Sequence, residues 1–226
     1  MKLLLFDIDG TLIHTGGAGK RAMNMAFEKV FRVKDALDGV SLAGRTDTAI
    51  LIDVMAKYQI AQTDMNYQMY RECYFEFIQI EIKVPDFKSR IMPGIPALLD
   101  SLIKNENITL ALLTGNWELS GRVKLAHFGL SDYFEFGAFS DDSAIRHELI
   151  PFALRRFNEK NGYIPHAKEV FIIGDTFSDV DCAHAHQAIA VAVATGPYSL
   201  QQLKDHHAEY VFNDFSDLKK ALEILG

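Results

Sequence analysis

Asp7-Ile8-Asp9-Gly10-Thr11-Leu12, Thr114-Gly115-Asn116 and Gly174-Asp175-Thr176-Phe177-Ser178-Asp179 place four carboxylates and a hydroxyl–glycine–amide turn in three separate parts of the chain. Acidic side chains held close together repel one another unless a cation sits among them. An all-oxygen set of this kind suits a hard ion such as Mg²⁺, which keeps several waters and shares substrate phosphate. Asp7 and Asp9, two apart at the end of an extended segment, can face the same side. Asp175 and Asp179, four apart at the mouth of a helix, stack on one face and could give one direct and one indirect contact to such an ion. Any single aspartate here could be a turn or capping residue, Asp175 most readily. Four together at three strand ends are harder to explain that way.

The elements that must position them are legible as well. Leu3–Phe6, Ile108–Leu113, Val170–Ile173 and Ile189–Val193 are short, nearly continuous apolar runs, the pattern of parallel strands covered on both faces. Helical patterns lie between them, and Leu218, Ala221, Leu222 and Leu225 form an amphipathic stripe that closes the chain. Strands alternating with helices predict an α/β fold, a doubly wound, mostly parallel, Rossmann-like sheet whose ligands bind beyond the C-terminal strand ends. The stretch from about residue 17 to 88 breaks the alternation. Met23-Ala26-Phe27-Val30, Leu51-Val54-Met55-Tyr58 and Tyr70-Cys73-Tyr74-Phe77 all carry helical spacing, with Pro85 and Pro93-Gly94 marking the exit. An all-helical insertion over residues 15–88 is therefore expected, interrupting an α/β core of residues 1–14 and 89–226. Its aromatic stripes read as core.

Composition narrows the partners. Hydrophobic residues make up 49% and charged residues 23%, values of a soluble globule. A formal charge of −7, from 30 acidic and 23 basic residues, argues against nucleic acid or an anionic membrane as the main partner. Cys73 and Cys182 have no metal-type spacing, which predicts a reduced, cytoplasmic protein. The apolar start, Leu3 to Phe6, is too short for a signal peptide or a membrane span.

Taken together, the three motifs resemble the haloacid dehalogenase superfamily, specifically its Mg²⁺-dependent phosphatase branch with a helical cap after the first motif, similar to phosphoglycolate phosphatases. The resemblance implies a phosphomonoester hydrolase for small phosphorylated metabolites. Asp7 would be the nucleophile that forms an aspartyl-phosphate, and Asp9 the general acid and then base. The Asp7 side chain, the Asp9 backbone carbonyl and Asp175 would hold Mg²⁺, with Asp179 orienting water at the ion. Thr114 and Gly115 would bind a phosphate oxygen, with Asn116 in support. The superfamily also expects a cation, often lysine, at the phosphate. Between Lys124 and Lys160 there is no lysine, and Arg146 takes that place, while Arg155 and Arg156 read as a solvated helix face. A phosphosugar mutase of the β-phosphoglucomutase type and a catalytically idle binding or regulatory member share this architecture. Dehalogenases lack a carboxylate at the Asp9 position, and phosphonate hydrolases usually replace it with a small residue, so Asp9 counts against both.

Other features carry less. Gly17-Ala18-Gly19-Lys20-Arg21-Ala22 fits a dinucleotide glycine pattern but does not directly follow the first strand, and Arg21 rules out a Walker loop. These glycines read instead as a hinge of the insertion. His184 and His186 do not share a helix face, His206-His207 reads as polar surface, and His14 reads as a loop residue near the site. Trp117 reads as packing that could also wall the pocket. Within the insertion, Gly44-Arg45-Thr46-Asp47 combines a tight turn, a cation and a helix start. Arg45 is thus a candidate anchor for a second anionic group, with Thr46 or Asp47 merely capping a surface helix as the alternative. Oligomeric state is not legible.

Overall fold

The computed structural model describes residues 1–226. Six strands form one sheet in the order β5-β4-β1-β6-β7-β8, comprising β1 (Lys2–Phe6), β4 (Ile108–Leu113), β5 (Gly137–Ala138), β6 (Val170–Gly174), β7 (Ile189–Val193) and β8 (Tyr210–Phe212). Every neighbouring pair is parallel. From β1 the chain steps out through β4 to β5, then returns to the other side of β1 with β6. That reversal opens a crevice beyond the ends of β1, β4 and β6.

Alternation along the strands decides which helices cover which face. Leu4 and Phe6 of β1, with Leu110 and Leu112 of β4, pack beneath α4 (Ile95–Leu102), α5 (Glu118–His127) and α9 (Leu218–Leu225). Leu3, Leu5, Ala111 and Leu113 point the other way, under α6 (Leu149–Asn161), α7 (Phe177–Ala185) and α8 (Leu200–Asp205). Both faces are thus buried, which is why the strands read as nearly continuous apolar runs.

Between β2 (Ile13–His14) and β3 (Arg90–Ile91) the chain forms only helices, α1 (Ala18–Phe31), α2 (Asp47–Lys57) and α3 (Asp64–Glu81). The two strands pair antiparallel, Ile13 with Ile91 and His14 with Arg90, so the ways in and out of the helical segment run side by side. The three helices bury a separate cluster that includes Met23, Phe27, Leu51, Val54, Tyr70 and Tyr74. Thr46 and Thr63 cap α2 and α3 through their side chains. In α3 the buried stripe is Tyr70, Tyr74 and Ile78, with Cys73 and Phe77 half-buried at its edge. Trp117 belongs to this cluster too, although it starts α5, so the two parts share packing. No helix is long and apolar enough to cross a membrane.

Candidate active site

Asp7 directly follows β1, and its backbone N–H still donates to Ile173 O at 2.9 Å, which fixes the residue at the strand end. Asp175 directly follows β6. One carboxylate oxygen each of Asp7, Asp175 and Asp179 lies within 4.8 Å of the others, and all three residues are buried. Thr11 Oγ1 donates to Asp175 Oδ1 at 3.1 Å. Asp179 Oδ2 accepts from Thr176 N at 3.0 Å and Thr176 Oγ1 at 2.7 Å, closing a capping box at the start of α7. The helix cap is therefore Thr176, and Asp175 is left free of that duty. Gly10 (φ +89°) passes so close that a Cβ there would stand 2.3 Å from Asp175 Oδ2.

One buried cation answers these three acids. Arg146 places Nη2 2.5 Å from Asp179 Oδ1 and 3.2 Å from Asp7 Oδ1, and its Nε–H has no partner. Burial pushes the Asp7 carboxyl up to about 6, with Arg146 pulling against it and Asp179 and Asp9 adding to it. Asp175 is raised well above the usual carboxylate range by burial and by the charges of Asp7 and Asp179. An all-oxygen, buried, under-neutralised set of carboxylates fits a hard divalent cation.

Asp9 stands apart from that group. Its Oδ2 accepts from Lys124 Nζ at 2.6 Å and from Asn116 Nδ2 at 2.9 Å. Thr114, at the end of β4, is fully buried, and its Oγ1 accepts from Asn116 Nδ2 at 2.8 Å and Asn116 N at 3.3 Å. Its own O–H is left to donate. Asp7, Asp9, Thr114, Arg146 and Asp175 line a single cavity of about 560 Å³, and Arg45 edges it from the helical segment. Asp179 is set back from the cavity wall.

The profile of the family described as haloacid dehalogenase-like hydrolase matches residues 4–193. The chain belongs to the haloacid dehalogenase-like hydrolases. It is 26% identical over 223 residues to a phosphoglycolate phosphatase of Yersinia pestis, covering 96% of this chain and 91% of that one. The fold is similar to the crystal structure of a predicted phosphatase from Clostridium acetobutylicum, with TM-score 0.71, 23% identity and 98% of both chains covered. It is also similar to a predicted β-phosphoglucomutase from Thermotoga maritima, with TM-score 0.63, 19% identity and 100% of both chains covered.

In this hydrolase the start of α2 is not a surface helix end. Asp47 N donates to Gly115 O at 2.6 Å, and a Cβ on Gly115 would stand 2.1 Å from Arg45 O, so only glycine admits the loop. Asp47 is buried, and its Oδ2 accepts from Trp117 N at 3.0 Å, capping α5 from another element. Thr46 Oγ1 donates to Ala144 O at 2.6 Å and Trp117 Nε1 to Thr48 Oγ1 at 2.9 Å. Arg45 is not in free solvent either, since Nη2 meets Asp53 Oδ2 at 2.5 Å and Ala49 O at 3.2 Å.

Three further sequence expectations are corrected. Arg156 is no solvated side chain; it grips Asp142 at 2.6 and 2.8 Å and Gly137 O at 2.6 Å, tying β5 to α6. His14 lies in β2 rather than a loop, although it does border the cavity. His206 is more than polar surface, because its ring stacks on Phe177 at 4.2 Å and bonds Asp181 Oδ1 at 2.8 Å. Lys124 escaped the sequence reading altogether.

Proposed function

We propose that this hydrolase is a Mg²⁺-dependent phosphomonoesterase for small anionic metabolites, working through an aspartyl-phosphate on Asp7. The observation that carries the reading is the buried Asp7 carboxylate at the cavity wall, 3.2 Å from Arg146, with Thr114 lining the same cavity. An Asp7 oxygen bonds to phosphorus as the ester P–O bond breaks, and the departing oxygen takes a proton from Asp9. Asp9 then takes a proton from the water that displaces phosphate from Asp7. The free Nε–H of Arg146, the Thr114 hydroxyl and the Gly115 N–H are donors for the phosphoryl oxygens. Asp7, the Asp9 carbonyl, Asp175 and Asp179 would hold Mg²⁺, which when bound neutralises the charge of these acids and of the phosphoryl group.

Residues 15–88 would act as a cap over the cavity, with Gly16 and Gly17 (φ +61° and +81°) as its hinge. A cavity of about 560 Å³ suits a phosphoryl group carrying a few carbons. Lys20, Arg45 and Arg90 also line it and would favour a second anionic group. The Yersinia pestis relative makes phosphoglycolate the first substrate to try.

Phosphate release from 4-nitrophenyl phosphate should require Mg²⁺ and fall to background after chelation; turnover in excess chelator would reject the reading. No interconversion of glucose phosphates is expected in a coupled assay. Against a panel of phosphorylated metabolites, Arg45→Ala should lower kcat/KM about tenfold on the best anionic substrate, ~1.4 kcal/mol, and at least fivefold less on the aryl phosphate. Equal losses on both would remove Arg45 from substrate recognition.

A further inference from the structure

We infer that Lys124 is a positioning residue that clamps Oδ2 of Asp9 and leaves Oδ1 to carry the proton to the leaving group; this rests on the phosphomonoesterase reading. Lys124 sits in the last turn of α5, where a lysine ordinarily reaches solvent. Here the side chain is only 6% exposed, and its ammonium borders the catalytic cavity. Removing an ammonium from water costs several kcal/mol unless it is paired and hydrogen-bonded. Both conditions hold at the same place.

The bonds form a closed ring. Lys124 Nζ donates to Asp9 Oδ2 and to Asn116 Oδ1, each at 2.6 Å, and Asn116 Nδ2 donates to Asp9 Oδ2 at 2.9 Å. With Oδ1 of Asn116 facing the ammonium, its amide group is directed at Asp9 and at Thr114 Oγ1. One lysine therefore orients the proton donor and, through Asn116, the hydroxyl beside the phosphoryl site. The ammonium is itself confined, since a Cβ on Gly19 of α1 would stand 3.4 Å from Nζ.

The clamp matters only when the leaving oxygen needs a proton. As the Asp7 oxygen bonds to phosphorus and the P–O ester bond breaks, an alkoxide must take the proton of Asp9, whereas a nitrophenolate can depart without it. Misplacing a catalytic group by about 1 Å can cost on the order of 10²-fold. Lys124→Met should therefore lower kcat/KM about a hundredfold on an alkyl phosphate such as phosphoglycolate and less than tenfold on 4-nitrophenyl phosphate. A series of aryl phosphates should show a steeper dependence of kcat/KM on leaving-group basicity in the variant. Should Lys124→Met fail to fold, Lys124→Gln, which keeps a donor without the charge, carries the same comparison. Equal losses on both substrates, or no loss on either, would make Lys124 structural and overturn the inference. Absence of turnover by the unaltered enzyme on either phosphate would instead reject the phosphomonoesterase reading.

Discussion

Asp7→Asn is expected to give a folded protein whose phosphate release falls about 10⁴-fold or more. The amide offers no oxygen able to displace an alkoxide from phosphorus, and none of the neighbouring acids can replace it. Asp179 is tied to Arg146 and Thr176, Asp175 accepts from Thr11, and Asp9 is held by Lys124 and Asn116. Quenching the unaltered enzyme in acid during turnover of labelled substrate should leave label on Asp7, and none on the variant. The fold should survive, because the substitution removes one of three mutually repelling buried carboxylates while Arg146 keeps Asp179 at 2.5 Å. In metal-free buffer the melting temperature should be unchanged or higher. A variant that kept more than about a hundredth of the activity would reject Asp7 as the nucleophile.

What could be read beforehand follows from where each residue gets its position. Asp7, Thr114 and Asp175 each come immediately after a central strand, so strand ends alone placed them along one crevice. Those strands were legible because both faces are covered and nearly every residue is apolar. β5 and β8, at the two edges of the sheet, span two and three residues and leave no pattern to find. β2 and β3 exist because the two crossings of the helical segment lie together, a fact of tertiary structure.

Lys124 was missed, and Asp47 was read only as a possible cap of a surface helix, for a different reason. Each lies on a helix whose facing partner is set by how the inserted helices dock, and a lysine or aspartate on an isolated helix defaults to solvent. A faint signal existed in α5. Ser120 and Gly121, small and buried, precede Lys124 by four and three positions, marking a close-packed face that leads to the ammonium. Arg156 was misread likewise, since Asp142 reaches it from a loop fourteen residues away.

Asp47 gives the second large effect, on stability rather than chemistry. Burial pushes its carboxyl up to about 7, opposed by Lys124, the Trp117 N–H and Ser120, and reinforced by the charge of Asp9. The hydroxyls of Tyr70 and Tyr74, raised well above the usual phenol range by burial and by Asp47, have no hydrogen-bond partner. In the unfolded chain the same carboxyl titrates near ~3.9. Below that pH both states hold the proton and the group is neutral to stability. As the pH rises toward 7 only the unfolded chain releases it, so folding loses ground, and above 7 the cost is complete at about 4 kcal/mol. Asp47→Asn removes the titration while its amide oxygen can still accept from Trp117 N. The variant's stability relative to the unaltered protein should therefore improve by about 3 kcal/mol between pH 5 and pH 8, roughly 6–10 °C in melting temperature for a chain of this size. Parallel melting curves across that range would show that the carboxyl ionises freely. Asp47 also lines the cavity that holds Asp7 and Asp9, at the contact between the Gly44–Asp47 turn and Gly115. The stabilised variant should accordingly lose substrate affinity even as it gains melting temperature.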